Sequence, residues 1–349
     1  MRILIVGNMG YVGPVVANEL RRRHPDATLI GLDTGFFAHC LTTPGALPEI
    51  VLDQQLFADV RALTPETLPP CDAVIYLAAL SNDILGNVNE ELTERINHTS
   101  AVKVAEMARA SGARAFVFAS SCSVYGFAEE APRTERSEVN PLTAYARSKV
   151  AAEESLRKVA SPGFAVTCLR FATACGMSDR LRLDLVLNDF VAAALTSGTI
   201  QILSDGTPWR PLIDVRDMAR AIAWAVERPS SQGGAFVLAN AGSDDWNFQV
   251  RELADAVAKQ IDGTRVSVNT AAAPDRRSYR VDFSLFRELA PGAQPQASVT
   301  ETIGEVARGL TAINFRDANF RTSSFMRIQT LNRLRGEGRL REDLTWQLR

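Results

Sequence analysis

Histidine is scarce in this chain: His24, His39 and His98 stand far apart among 349 residues. The five cysteines, Cys40, Cys71, Cys122, Cys168 and Cys175, are an odd number without a C-x-x-C pair. Structural zinc and disulfide frameworks both need closely spaced clusters of these residues, so neither is expected and no metal is assigned. Long apolar runs are also missing, and nothing approaches the ~20 residues that cross a bilayer. Charge of one sign is not in excess, the formal net charge being −2. That removes any global attraction to nucleic acid or to an anionic membrane. The opening MRILIVG is interrupted by Gly7, Asn8 and Gly10, with no small-residue cleavage pattern after it, so it is not read as a signal peptide. The expectation is a cytoplasmic protein that binds neither nucleic acid nor membrane. Any anionic ligand must then be gripped by local donors.

What is present is ordinary for a folded globular protein, with 46% apolar and 22% charged residues. Short β-branched runs at 2–7, 27–33, 72–78, 113–120 and 164–170 alternate with helical patterns at about 11–23, 90–111 and 143–160. Unbroken apolar runs suit strands covered on both faces, and βαβ alternation makes the sheet parallel. The fold class is therefore α/β: a doubly wound, parallel-sheet Rossmann domain with a smaller, interleaved α/β substrate domain. Residues 1–170 form the first. Residues 171–349 are mainly the second, ending in a helical tail, with elements returning to the sheet at about 211–240, among them the apolar run 235–240. The tail from Phe315 carries eight arginines against four acids, with Phe320, Phe325, Ile328, Leu331 and Leu334 near helical spacing. It reads as a helix packed on the body with a solvated basic face.

Directly after the first strand come Gly7, Gly10 and Gly13 in GNMGYVG, opening into a helix. Glycines allow the tight turn and the close approach of a pyrophosphate to free N–H groups at the helix start. Asp33 ends the second strand 20 residues beyond Gly13, where an acid meets the adenine-ribose hydroxyls. Its carboxylate would repel a 2′-phosphate, and Thr34, Gly35, Phe36 and Phe37 supply no arginine to hold one. NAD is therefore the expected cofactor.

After the fifth strand lies SSCSVYG, 120–126, followed by YARSK with Tyr145 and Lys149 four apart. On a helix these two share a face. A phenol with pKa near ~10 is a poor base at neutral pH, but a neighbouring ammonium stabilises its anion. A hydroxyl from the SSCS loop would hold the substrate oxygen beside that phenol. Cys122 has no base partner in sequence and is read as a small buried filler, and Tyr125 as packing.

Taken in order, GNMGYVG, Asp33, FADVRAL with Asp59, YLAALSND, the helix carrying Asn97, SSCSVYG, YARSK and SDGTPWRPLIDVRD resemble the extended short-chain dehydrogenase/reductase family of nucleotide-sugar epimerases, dehydratases, decarboxylases and reductases. The resemblance implies that Ser121, Tyr145 and Lys149 are catalytic. It implies that Gly7, Gly10, Tyr11, Val12, Gly13, Asp33, Asp59, Val60, Leu77, Ala78, Ala79 and Asn97 serve the cofactor, together with Tyr145 and Lys149. The substrate, a nucleotide-diphosphate sugar, falls to Ser81, Ser121, Ser123, Asn188 and Arg210, with Arg277 or its neighbour Arg276 as a second arginine. Guanidinium forks suit a diphosphate and supply the local charge that the net charge lacks. Ser120 and Ser123 are read first as hydroxyls that stabilise the loop.

Departures from the family narrow the chemistry. Its 4,6-dehydratases carry Asp-Glu after the catalytic residue, where Cys122 and Ser123 stand. Its GDP-mannose 3,5-epimerases use a cysteine where Ser123 stands, and its decarboxylases an acid there. The asparagine of UDP-galactose 4-epimerases is replaced near Phe171 and Ala172, which leaves the hexose open. A 4-epimerase that oxidises and re-reduces the sugar is the expectation, with a keto-sugar reductase or a dehydratase as alternatives. A non-catalytic dinucleotide sensor would lack Tyr145 or Lys149. The resemblance also implies a homodimer, paired through the helices at 90–111 and 143–160. Val102, Val104, Ala105, Ala108, Val150, Ala151 and Leu156 are its candidate seam positions.

Overall fold

The computed structural model describes residues 1–42, 45–81, 89–128, 131–269 and 278–347. Each expected apolar run becomes a strand: β1 (Arg2–Val6), β2 (Thr28–Asp33), β4 (Ala73–Tyr76), β5 (Ala115–Ser121), β6 (Ala165–Phe171) and β10 (Phe236–Ala241). A further edge strand, β3 (Gln54–Phe57), was not legible, because QQLF is short and half polar. The seven pair in parallel in the order β3-β2-β1-β4-β5-β6-β10. The order reverses between β1 and β4. A crevice opens there at the carboxyl ends of the strands, where doubly wound sheets place their ligands.

Helices cover both faces. Ile3, Ile5, Ile75 and Val117 pack with Val16 and Leu20 of α1 (Gly13–Arg23). On the other face Leu4, Val6, Tyr76 and Phe116 pack with two longer helices. One starts as α2 (Glu90–Glu94) and passes through a π-turn at Arg95–Thr99 into α3 (Ser100–Ala110); the other is α4 (Ala144–Val159). The alternation of successive side chains between the two clusters is the period of a strand buried on both sides.

A second lobe begins after β6. It holds β7 (Thr173–Cys175), α5 (Val186–Ser197), β8 (Thr199–Ile202) and β9 (Trp209–Asp214). The chain then returns as α6 (Val215–Glu227), beside α1 on the main sheet, and as β10. Later come β11 (Asn247–Gln249), α7 (Val250–Gln260), β12 (Arg265–Val268), α8 (Ser284–Leu289) and α9 (Val299–Ala312). A core of its own, with Leu187, Val191, Ile200, Leu253 and Val306, holds α5, α7 and α9 together. Among the described residues no helix is long and apolar enough to cross a membrane, and all five cysteines are free and buried.

The tail corrects its expectation. The helix α10 spans only Arg327–Gly336. Phe320 and Phe325 pack in the second lobe, whereas Ile328, Leu331 and Leu334 pack against the main sheet's cluster. A chain that crosses between two cores cannot keep one helical face toward both, so the helix starts only after the crossing. Nor is the basic face simply solvated: Arg321 pairs with Asp189 at 2.6 Å, and Arg327 is 4% exposed.

Candidate active site

The turn after β1 is built for close approach. Gly7 has φ +87°, and a Cβ there would lie 2.5 Å from the Ala78 nitrogen. A Cβ on Gly13 would lie 2.0 Å from the Asn8 carbonyl oxygen, so this glycine seats α1 against the loop. Gly10 is less crowded, its nearest atom being 3.3 Å away. Gly7, Gly10, Tyr11 and Val12 line a cavity of about 1150 Å³, whereas Gly13 stands behind its wall. This is a cradle that a side chain would fill, at the start of a helix whose free N–H groups favour a diphosphate. The residues present therefore fit a dinucleotide.

Asp33 closes the far end. Its Oδ2 accepts from the Met9 amide at 3.0 Å and its Oδ1 from the Gly35 amide at 2.8 Å, which fixes the carboxylate between the glycine loop and the turn after β2. Burial raises its pKa, and those two donors oppose the rise. Asp59, Val60, Leu77, Ala78, Ala79 and Ser81 line the same cavity. Asp59 is held by the Arg61 fork, with Nε–Oδ1 at 2.9 Å. Asn97 is different. Seated in the π-turn and fully buried, its Oδ1 accepts from Leu80 N at 2.8 Å, while its Nδ2 donates to Leu80 O at 3.2 Å and Ser148 Oγ at 3.1 Å. It clamps the cofactor loop to α4 rather than facing the cavity.

Thr143 caps α4 by accepting from Ala146 N at 3.2 Å, so the helix starts one residue before Tyr145. Tyr145 therefore sits in the first turn of the helix, the end at which a helix dipole is positive. Lys149 follows one turn later, its Nζ 5.5 Å from the Tyr145 ring centroid and donating to Ala119 O at 2.7 Å. Burial pushes the Lys149 pKa down to about 7, and Glu153 opposes the fall. Ser121 Oγ donates to Ser123 Oγ at 2.9 Å and accepts from Ser123 N, and both serines line the cavity with Tyr145 and Lys149.

Behind this row lies a buried network. Ser120 Oγ donates to Glu153 at 2.5 Å, Arg170 grips Glu153 at 2.6 Å, and Arg170 Nη1 donates to Tyr125 Oη at 3.0 Å. Tyr125 Oη donates in turn to Asn240 Oδ1 at 2.7 Å. Tyr125 is thus a packing and network residue, and Cys122, fully buried, donates to Arg170 O.

Among the substrate candidates, Arg210 lines the cavity, its Nη1 donating to Trp209 O at 2.8 Å. Asn188 is shut in: its Oδ1 accepts from Gly176 N at 3.0 Å and its Nδ2 donates to Arg182 O at 2.9 Å, so it shapes the wall from behind. Arg276 and Arg277 lie outside the described residues. Sequence reasoning missed Arg182, which lines the cavity, pairs with Asp184 at 2.9 Å and donates to Ser81 Oγ at 2.8 Å. Burial opposes the charge of its guanidinium and Asp184 holds it, so that its pKa is raised. The run RLRLD carried the signal as an arginine-rich turn between the two lobes, but no spacing rule singles it out.

A glycine cradle with an acid at its far end and a Tyr–Lys pair across the crevice marks a dinucleotide-dependent enzyme. Comparison with known proteins narrows that class. The model of the NAD dependent epimerase/dehydratase family matches residues 3–239. The chain belongs to this family, and its cofactor is NAD. It is 27% identical over 334 residues to a UDP-glucose 4-epimerase of Corynebacterium glutamicum, covering 89% of this chain and 96% of that one. A UDP-glucose 4-epimerase of Mycolicibacterium smegmatis is 28% identical, over 87% of this chain and 97% of the relative. In structure the chain is similar to MoeE5 in complex with UDP-glucose and NAD, with a TM-score of 0.76 at 23% identity, covering 90% and 100%. It is also similar to the UDP-Glc/GlcNAc 4-epimerase of Campylobacter jejuni, with a TM-score of 0.70 at 23% identity, covering 89% and 99%.

The turn after β2 holds one surprise for cofactor choice. It contains no arginine, yet Arg180 donates to Phe37 O and Ala38 O, and Arg327 lies 4.6 Å from the Phe37 ring centroid. On the sequence-based expectation, Asp33 would be what keeps a 2′-phosphate out of this basic neighbourhood. Asp33→Ala is expected to weaken NAD about 10–100-fold, the worth of one to two charge-assisted hydrogen bonds, and to gain NADP binding. Calorimetric titration with both dinucleotides checks it, and unchanged selectivity would place the acid elsewhere.

Proposed function

We propose that the chain is an NAD-dependent nucleotide-sugar 4-epimerase with Tyr145 as general base. The observation that carries this reading is the state of the carboxylates around the cavity. Elimination of water or loss of carbon dioxide needs an acid beside Tyr145. Among the described residues the cavity's acids are Asp33 and Asp59 at the adenosine end, Asp184 paired with Arg182, and Asp189 paired with Arg321. After Ser121 come a buried thiol and a hydroxyl. The described residues around Tyr145 offer groups for proton transfer at a sugar hydroxyl. The UDP-glucose 4-epimerase relatives support the same choice.

Bound NAD supplies the acceptor, and later the donor, for the hydrogen on the sugar's C4. Tyr145 takes the hydroxyl proton as that hydrogen leaves and returns it after the 4-keto sugar has presented its other face. The Lys149 ammonium and the helix start stabilise the phenolate between these steps. Ser121 holds the reacting oxygen by donating its hydroxyl hydrogen. Arg210 holds the diphosphate while the sugar turns. Incubating the NAD-loaded protein with a panel of nucleotide sugars and no reductant, read by NMR, tests the reading. Two C4 epimers are expected; a dehydrated or reduced product would replace it.

Assembly as a homodimer through α3 and α4 belongs to the same proposal. Val104, Ala105, Ala108 and Leu156 pack into their own core, so a seam rests on the partly exposed Val102, Val150 and Ala151. Light scattering is expected to give twice the 38.0 kDa chain mass. A monomer with full activity would end it.

A further inference from the structure

Three arginines meet where the tail crosses between the lobes, and only two have a carboxylate. Arg180 is paired with Glu49 at 2.5 Å and Arg182 with Asp184 at 2.9 Å. Arg327, the first residue of α10, makes no ion pair among the described residues. Its Nη2 donates to Arg180 O at 2.6 Å and its guanidinium covers Phe37. Its Nη1 is buried with no hydrogen-bond partner among the described residues. Such a group is costly to leave unmade, and an excess buried charge costs more. Burial lowers its pKa to about 10; Arg182 and Arg180 act in the same direction, and Cys40 and the carboxylate of Asp184 oppose the fall. An anion in the cavity that Arg327 lines would offset the charge.

The place of Arg327 says which anion. It lines the same cavity as Gly10, Tyr11 and Val12. The segment that accepts its hydrogen bond is tied to the glycine loop, since Ser178 Oγ donates to Tyr11 O at 2.6 Å. The rest of the tail is moored at the adenosine end: Trp346 Nε1 donates to Thr34 O at 2.7 Å, and Arg61 Nη1 donates to Asp343 O at 2.6 Å. We propose that Arg327 binds the diphosphate of NAD from the tail's side of the cavity, which makes residues 327–347, beyond the stretch matched by the family model, part of the cofactor site. A planar, permanently charged fork suits that group. The inference rests on NAD as cofactor and is independent of the sugar chemistry.

A second diphosphate, that of the nucleotide sugar, enters the same cavity, so the test carries two arms. NAD is titrated into cofactor-free wild type, Arg327→Met and Arg327→Lys by calorimetry, and UDP is titrated into the NAD-saturated proteins. Arg327→Met is expected to weaken NAD about 10–100-fold and to leave UDP within twofold. Arg327→Lys, which keeps the charge and loses the fork, falls between. The cofactor-free Met variant melts at or above the wild-type temperature, because an uncompensated buried charge is gone. NAD affinity within twofold of wild type overturns the proposal. So does a loss confined to UDP, or a lower melting temperature with unchanged NAD binding. If the Met variant does not fold, unchanged NAD affinity in Arg327→Lys is the overturning result.

Discussion

Replacing Tyr145 by Phe is expected to lower turnover about 10²–10⁴-fold, the usual worth of a positioned acid–base group, while NAD binding stays within a few-fold. The separation follows from the architecture. In the proposed reading the glycine cradle and Asp33 hold the cofactor from β1, α1 and β2, whereas Tyr145 stands on the first turn of α4. The ring itself survives in Phe, so the helix start and the contact with Lys149 remain. Steady-state rates with the best nucleotide sugar, beside NAD titration, check both halves. Activity within a few-fold of wild type would end the assignment of Tyr145 as base.

Glu153→Ala is expected to cost about 3–5 kcal/mol of stability, the range found when one partner of a buried ion pair is removed. Arg170 is 4% exposed and would be left facing Tyr125 and a cavity. Glu153→Gln keeps acceptors for Ser120 and Arg170 and falls between. The same charge reaches the site, because Glu153 opposes the burial that pulls Lys149 down to about 7. Without it the ammonium is lost at lower pH. The alkaline limb of the activity profile of Glu153→Gln therefore moves toward acid, since the phenolate needs that positive neighbour. Urea denaturation and a pH–rate profile read the two effects separately. An unchanged denaturation midpoint would show that the network carries no such weight.

The parts of the molecule that were legible are those where local pattern and tertiary role coincide. The six apolar strands, the glycine loop and the Tyr–Lys spacing announce themselves because strand period, φ demand and helical repeat are properties of a few neighbouring residues. Other features depend on contacts far apart in sequence. β3 is an edge strand with little apolar content. Arg182 meets Ser81 across 101 positions, and Arg327 meets Arg180 across 147. The tail pattern was visible, but nothing local says that Phe325 and Leu331 enter different cores. Asn97 and Asn188 were found by family position, yet the structure seats both behind the cavity wall as clamps. Glu153 lies four residues beyond Lys149, where a surface acid would look the same in sequence.

In the proposed reaction one C4 hydrogen leaves the sugar and comes back to the same carbon, with Tyr145 moving only the hydroxyl proton. A nucleotide sugar deuterated at C4, incubated with the NAD-loaded protein and followed by NMR and mass spectrometry, tests it most directly. Two epimers are expected, both keeping the deuterium at C4, with no external cofactor consumed. Deuterium lost to solvent from C4, or a product lacking water, would contradict it.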